Sequence, residues 1–159
     1  MQIKNWLIIS VCIVNGAVSA AGKRAEPAPM FAYEHATVTF VAADNGQRRV
    51  VIDAEIADTG PKRAQGLMYR SRLEEKEGML FLFQEALPRA FYMKNTHIPL
   101  DIIFAGADKK IIKIHAHTTP FSLDLLPSGL PAQYVVEVNG GFCMRYRICE
   151  GDSITFVRV

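Results

Sequence analysis

The sequence has no marked excess of charge of either sign. Its 159 residues include 18 Lys and Arg against 16 Asp and Glu, a formal net charge of +2 at pH 7. Proteins that bind nucleic acid through phosphate contacts usually carry a clustered basic excess. The composition therefore gives no indication of a nucleic-acid partner.

The chain also lacks an apolar segment long enough for a membrane-spanning helix. Its most apolar stretch begins at Trp6 and, even when extended to Val18, falls short of the ~20 residues that a span requires. Lys4 precedes this stretch and small residues ending in Ala20 and Ala21 follow it, an order typical of a secretory signal. We predict a signal peptide at residues 1–20, no stable span after cleavage, and export to the periplasm or the medium. An uncleaved anchor is the alternative.

Motifs of the common enzyme classes are missing. The sequence contains no Gly-x-Ser-x-Gly, no P-loop, no dinucleotide-binding fingerprint and no His-Glu-x-x-His. The sequence therefore predicts no cofactor, and it does not indicate whether the protein is an enzyme.

Cysteine is scarce. Cys12 falls in the predicted signal, so the exported chain keeps Cys143 and Cys149. Two cysteines in an exported protein favour a disulfide. The alternative is a pair of free thiols, since unpaired Cys often behaves as a small buried hydrophobe. The sequence leaves both possibilities open.

What the chain does contain predicts a mainly β fold. Residues 21–36 are rich in Ala and Pro and predict a flexible lead, followed by a single domain at 37–159. Two short helices are predicted, one between Thr59 and Gly66 and the other at 140–146. Strands are predicted at 37–41, 50–56, 79–83, 90–96, 100–104, 111–115, 134–138 and 153–157. Short strands with intervening turn signals indicate an antiparallel β sandwich or barrel-like domain.

One polar segment stands out among these strands. Residues 90–96 and 100–104 form two apolar runs, and Pro99 interrupts them because proline cannot donate to a strand ladder. Lys94, Asn95, Thr96 and Asp101 lie within this otherwise apolar region. Burying such groups is costly unless they are paired or serve a function.

These polar residues suggest a binding pocket. Lys94 would supply a cation, Asn95 and Thr96 would form hydrogen bonds, and Asp101 would act as an acceptor or base. Arg70, which follows the first predicted helix, could add an anion clamp. The alternative is structural: a buried ion pair and side-chain hydrogen bonds that close the bend at Pro99.

A metal site is a weaker hypothesis. His115 and His117 would face the same side of a strand and could ligate a metal. A third ligand would have to come from elsewhere in the chain, with Asp101 and Glu137 as the candidates. Two exposed histidines at a strand end explain the same pattern. Met68, Met79 and Met93 occur in no dense methionine run and are better explained as core residues. We therefore predict no metal ligands.

Six motifs occur in order along the chain: Gly66-Leu67-Met68-Tyr69-Arg70, Gly78-Met79-Leu80-Phe81, Phe91-Tyr92-Met93-Lys94-Asn95-Thr96, Ile98-Pro99-Leu100-Asp101-Ile102-Ile103-Phe104, Tyr134-Val135-Val136-Glu137 and Gly151-Asp152. The chain resembles the DUF192 family of small prokaryotic proteins over most of residues 37–157. The resemblance implies a compact, mostly β sandwich with short helices and brings no established activity. Tyr92 stands where the family commonly has tryptophan, and Cys143, Cys149, His115 and His117 are not part of the shared pattern.

The sequence thus predicts an exported binding or accessory module with a small polar ligand held near Lys94, Asn95 and Asp101. A hydrolase or lyase acting on a small polar or sugar-like substrate, with Asp101 as base and Lys94 as charge stabiliser, is one alternative. A metal-handling protein is another. No protein partner is indicated.

Overall fold

The structure is a computed structural model and describes residues 30–159. The predicted signal peptide and most of the predicted flexible lead lie outside these residues. Among the residues described, no helix is long and apolar enough to cross a membrane.

Residues 30–159 form nine strands and two short helices. This confirms the predicted mainly β domain with two short helices. The elements are β1 (His35–Val41), β2 (Arg48–Ala57), α1 (Gly60–Gln65), β3 (Glu77–Leu87), β4 (Ala90–Phe91), β5 (Leu100–Ala105), β6 (Ile111–His115), β7 (Leu126–Pro127), β8 (Ala132–Asn139), α2 (Phe142–Tyr146) and β9 (Ser153–Arg158).

Seven strands form one large sheet, in the order β6-β5-β8-β3-β2-β1-β9, and β4 pairs with β7 in a small second sheet. The large sheet is mixed, because β2 and β3 run parallel whereas its other neighbours are antiparallel. The connection that carries α1 returns the chain to the starting end of β2, as a parallel pair requires. Among the described residues the two edge strands form a single isolated bridge, between Lys110 and Ser153, rather than a continuous ladder, so the sheet is not closed into a barrel.

Apolar side chains cover both faces of this sheet. Along β3, Leu80 belongs to one buried cluster, whereas Met79 and Phe81 belong to the other. The same alternation in β5 sends Ile103 to the first cluster and Ile102 to the second. A central strand buried on both faces is a continuous apolar run, which explains the sequence of residues 79–83.

The sequence signals for α1 are confirmed. The Thr59 hydroxyl accepts a hydrogen bond from the Lys62 N–H at the start of the helix. Gly66 follows the last helical residue, and its N–H donates to the Lys62 carbonyl. Its φ of 51° lies in a region that favours glycine.

The prediction of one strand over residues 90–96 was wrong. Strand β4 contains only Ala90 and Phe91. The backbone then turns, with a hydrogen bond from the Thr96 N–H to the Met93 carbonyl and a φ of 55° at Asn95. The alternation expected of a strand therefore does not determine where Lys94 and Thr96 point.

Gly78 lets β3 and β8 approach closely, and we predict that Gly78→Ala is destabilising. A Cβ atom at this position would lie 2.6 Å from the Glu137 carbonyl oxygen. Because that oxygen belongs to the backbone of a central strand, the clash should cost about 1–3 kcal/mol in a urea unfolding experiment. Gly60→Ala is the matched control, since a Cβ there meets nothing within 4 Å. Equal unfolding midpoints for the two variants would contradict the prediction.

Candidate functional site

A cavity of about 250 Å³ lies between α1, the loop that follows it, and the sheet face that carries β3 and β8. Aromatic side chains form much of its wall, among them Phe81, Phe83 and Phe91. Thr96 and Glu137 provide polar groups, and Arg63 of α1 provides a positive charge. A cavity with a mainly apolar wall and a few polar groups is typical of a small-molecule site.

Glu137 is the unusual residue of this cavity. It lies in β8, where its strand neighbours are Met79 in β3 and Ile102 in β5. Both neighbours are completely buried apolar residues, and Glu137 itself is only 5% exposed. Its Oε2 atom is buried and has no hydrogen-bond partner in the described part of the chain. Such an unsatisfied group in a core strand calls for an explanation.

Burial also changes the protonation of Glu137. Removal from water raises the pKa of its carboxyl group from 4.5 to about 8, although a hydrogen bond from the Leu67 backbone acts in the opposite direction. Desolvation has this sign because it disfavours the charged form of a carboxyl group. At neutral pH the group is therefore mainly a neutral carboxylic acid, which can both donate and accept a hydrogen bond.

Gly66 brings the loop after α1 close to this carboxyl group. A Cβ atom at Gly66 would lie 3.4 Å from the Phe81 ring and 3.6 Å from Oε2 of Glu137. A side chain there would occupy space beside the carboxyl group. Glycine at this position therefore serves both the helix end and the cavity.

Thr96 is the one predicted binding residue that lines this cavity. It is 4% exposed, and its hydroxyl donates to the Lys94 carbonyl over 3.2 Å. The turn at residues 93–96 therefore presents Thr96 to the cavity, while the Lys94 side chain is exposed.

The Asp101 side chain is buried and bonded to the protein backbone. Its carboxylate accepts hydrogen bonds from the backbone N–H groups of His117 (2.7 Å), Gly141 (2.9 Å) and Cys143 (2.8 Å). The side chain is 0% exposed. These bonds join β5 to the segment that follows β6 and to the beginning of α2. These three partners and the burial of Asp101 fit the structural alternative, in which its carboxylate closes the bend at Pro99.

The side chains of Arg70 and Asn95 also form hydrogen bonds to other side chains of the protein. One Arg70 nitrogen, Nη2, donates to both carboxylate oxygens of Glu55, at 2.8 Å and 2.7 Å. The Asn95 side chain donates to the Tyr69 hydroxyl over 2.8 Å. The structure therefore does not bring the five predicted residues into one pocket, and the structural alternative describes Asp101 well.

His115 and His117 line a different cleft, of about 440 Å³, together with Asp124. His115 Nε2 lies 2.8 Å from the Pro127 carbonyl oxygen. Residues 30–159 contain no group of three His, Cys, Asp or Glu side chains arranged to hold a metal ion. Cys143 and Cys149 are both free thiols, and burial raises the pKa of the Cys143 thiol.

The sequence patterns did not predict Glu137 as a binding residue. They offered it only as a candidate third ligand of a metal site. A signal was present, because Glu137 is an acidic residue inside the apolar strand 134–138. The same reasoning that singled out Lys94 and Asp101 applies more strongly here, since an isolated carboxyl group among β-branched residues is costly to bury.

The chain matches the DUF192 family, described as "Uncharacterized ACR", over residues 40–156. The chain belongs to the DUF192 family. This confirms the resemblance that the sequence motifs indicated. DUF192 is a family of unknown function, so membership assigns no activity. A comparison with functionally curated proteins found no match.

Two solved structures are similar to this DUF192 protein. One, from Novosphingobium aromaticivorans DSM 12444, is a protein of unknown function with 37% identity and a TM-score of 0.75, and the match covers 88% of this chain and 99% of that one. The other, from Sinorhizobium meliloti 1021, has the suggested role of a transcription regulator. It shows 34% identity and a TM-score of 0.76, with 80% of this chain and 98% of that one covered.

Proposed function

We propose that this DUF192 protein is an exported binding or accessory module that holds a small molecule in the cavity above Glu137. The observation that supports this role is the buried Oε2 atom of Glu137, which has no partner in the described part of the chain. Leaving such a group unsatisfied costs about 1–3 kcal/mol. A bound molecule with a matching polar group would recover that free energy.

The cavity wall favours a ligand that is mostly apolar. Apolar ring surface comes from Phe81, Phe83 and Phe91. Hydrogen bonds to a ligand can come from Thr96 and Glu137. Ligand sites commonly combine an apolar wall with a few polar groups that orient the ligand. The sequence predicted a small polar ligand. The cavity wall instead favours an apolar molecule that carries one or two polar groups.

Export and the absence of a nucleic-acid partner are part of the proposal. Export is supported by the signal-like order of residues 1–20. The similar protein from Sinorhizobium meliloti raises transcription regulation as another role. The formal net charge of +2 does not favour this role, because DNA binding usually depends on a basic surface.

Filling the cavity mouth should abolish binding. Ala64 is an exposed residue of α1 that lines the cavity, so Ala64→Trp should block it without disturbing the core. The probes are benzamide, phenol and benzyl alcohol, and the measurement is thermal unfolding. At about ten times its Kd, a bound probe should stabilise the wild-type protein by about 1.4 kcal/mol and raise Tm by a few degrees.

Ala107→Trp is the matched control, because Ala107 is exposed in the turn between β5 and β6, outside the cavity. This variant should respond to the probes as the wild-type protein does. The proposal fails if no probe stabilises the wild-type protein, or if Ala64→Trp responds as strongly as Ala107→Trp.

A further inference from the structure

Arg63 provides a positive charge at the cavity and takes part in none of the ion pairs formed within residues 30–159. Its Nη1 atom donates to the backbone carbonyls of Asp58, at 2.6 Å, and Leu82, at 2.9 Å. These two bonds hold the guanidinium group in place. Its Nε and Nη2 N–H groups have no protein acceptor in the described residues, so they are available to a ligand.

A second guanidinium group, that of Arg89, lies nearby. Both groups contact the ring of Phe83, with Cζ of Arg63 at 4.9 Å and Cζ of Arg89 at 3.4 Å from the ring centre. Arg89 donates to backbone carbonyls and, like Arg63, joins no ion pair in the described part of the chain. Burial and the charge of Arg63 lower the pKa of Arg89. Two neighbouring cations that form no ion pair within residues 30–159 attract an anion.

We propose that the cavity binds a small molecule whose apolar body carries a carboxylate or phosphate group, and that this group is held by Arg63. The inference rests on the proposed function, because it assigns ligand chemistry to the same cavity. An anion at Arg63 accepts charge-assisted hydrogen bonds from the Nε and Nη2 N–H groups of the guanidinium. It also offsets the repulsion between Arg63 and Arg89. The apolar body then contacts Phe81 and Phe91, which line the cavity.

Glu137 does not oppose such an anion. An ionised carboxylate in the same cavity would repel the ligand, but burial raises the pKa of Glu137 to about 8. The neutral carboxyl group instead offers its O–H to a polar atom of the ligand. The cavity thus combines one accessible cation with a neutral hydrogen-bond donor, which suits an anionic ligand better than a cationic one.

Four aromatic probes of similar size test this assignment: benzoate, phenyl phosphate, neutral benzamide and benzylammonium. Their dissociation constants are measured on the full chain by ligand-observed NMR at neutral pH. We expect benzoate or phenyl phosphate to bind at least about tenfold more tightly than benzamide, and benzylammonium to bind most weakly. Arg63→Gln should remove the preference for the anion over benzamide, whereas Arg63→Lys should retain part of it.

Arg145→Gln is the matched control, because Arg145 pairs with Glu75 at an exposed position and does not line the cavity. It should leave the preference unchanged. If Arg63→Gln fails to fold, benzoate and benzamide are compared on the wild-type protein alone, where tighter binding of benzoate supports the assignment and equal binding overturns it.

The outcomes separate the two proposals. If benzamide binds as tightly as either anion and Ala64→Trp blocks it, the cavity is a ligand site but the anion assignment is overturned. Tighter binding of benzylammonium overturns it as well. If none of the four probes binds, the anion assignment fails, and the proposed function fails with it unless phenol or benzyl alcohol stabilises the wild-type protein.

Discussion

Between about pH 4.5 and pH 8 the wild-type protein should lose stability, whereas a Glu137→Gln variant should not show this loss. In the folded protein, burial raises the pKa of Glu137 from 4.5 to about 8. The folded state therefore binds more protons than the unfolded state in this interval, so its stability falls as pH rises. The contribution of Glu137 to the free energy of unfolding is therefore greatest at pH values below its ordinary pKa of 4.5. It is completely lost at pH values above its folded-state pKa of about 8.

The expected loss is roughly 3–5 kcal/mol, because each pKa unit corresponds to about 1.4 kcal/mol. Arg63 and Tyr92 are the other ionisable side chains that line the same cavity. The measurement is urea unfolding at a series of pH values. Because glutamine is neutral at every pH, Glu137→Gln should be close to the wild-type protein at low pH and more stable than it at high pH.

Glu85→Gln is the control for this prediction. Glu85 has an exposed side chain near the end of β3, so its removal should leave the wild-type pH profile in place. Parallel profiles for the wild-type protein and Glu137→Gln would show that Glu137 does not titrate as a buried group.

Replacement of Asp101 should cause the largest loss of stability at neutral pH. In Asp101→Ala, the N–H groups of His117, Gly141 and Cys143 lose their common acceptor. An unsatisfied buried donor costs about 1–3 kcal/mol. The hydrogen bond from the Cys143 N–H is buried and the other two are partly buried, so we expect a total loss in the lower part of the range for three donors, about 3–6 kcal/mol. Asp101→Asn should lose less, because its amide oxygen can still accept, but its NH₂ group would face backbone donors.

Urea unfolding at neutral pH measures this effect. Asp124→Asn is the control, because Asp124 is exposed and its carboxylate accepts a 2.9 Å hydrogen bond from the Ser122 hydroxyl. The control should change stability by less than about 0.5 kcal/mol. An Asp101→Ala variant as stable as the control would contradict the structural role and restore Asp101 as a candidate binding residue.

Local signals predicted most strands and both helices. The cap at Thr59 and the glycine at Gly66 act over one helical turn, so the sequence alone specifies where α1 begins and ends. The apolar run at residues 79–83 is likewise a local consequence of a strand buried on both faces. The parallel pairing of β2 with β3 was not predicted, because strand pairing depends on contacts between distant parts of the chain.

The polar residues of the segment 90–104 show where local reasoning ends. The sequence indicated that Asp101 would be costly to bury. The groups that satisfy it lie 16, 40 and 42 residues away along the chain. Likewise, the turn that separates Lys94 from the cavity depends on the positive φ of Asn95, and the Tyr69 hydroxyl accepts a hydrogen bond from this residue.

By itself, the sequence determined the family, the mainly β architecture and the presence of polar groups that need partners. These properties follow from side-chain periodicity, turn residues and ordered motifs, all of which are local. Only the tertiary structure decided which polar groups are satisfied. Packing of β8 between β3 and β5 buries Glu137 beside a cavity, whereas packing of α2 against β5 satisfies Asp101. Burial is a property of the assembled sheet, so it decides which carboxyl groups find protein partners and which do not.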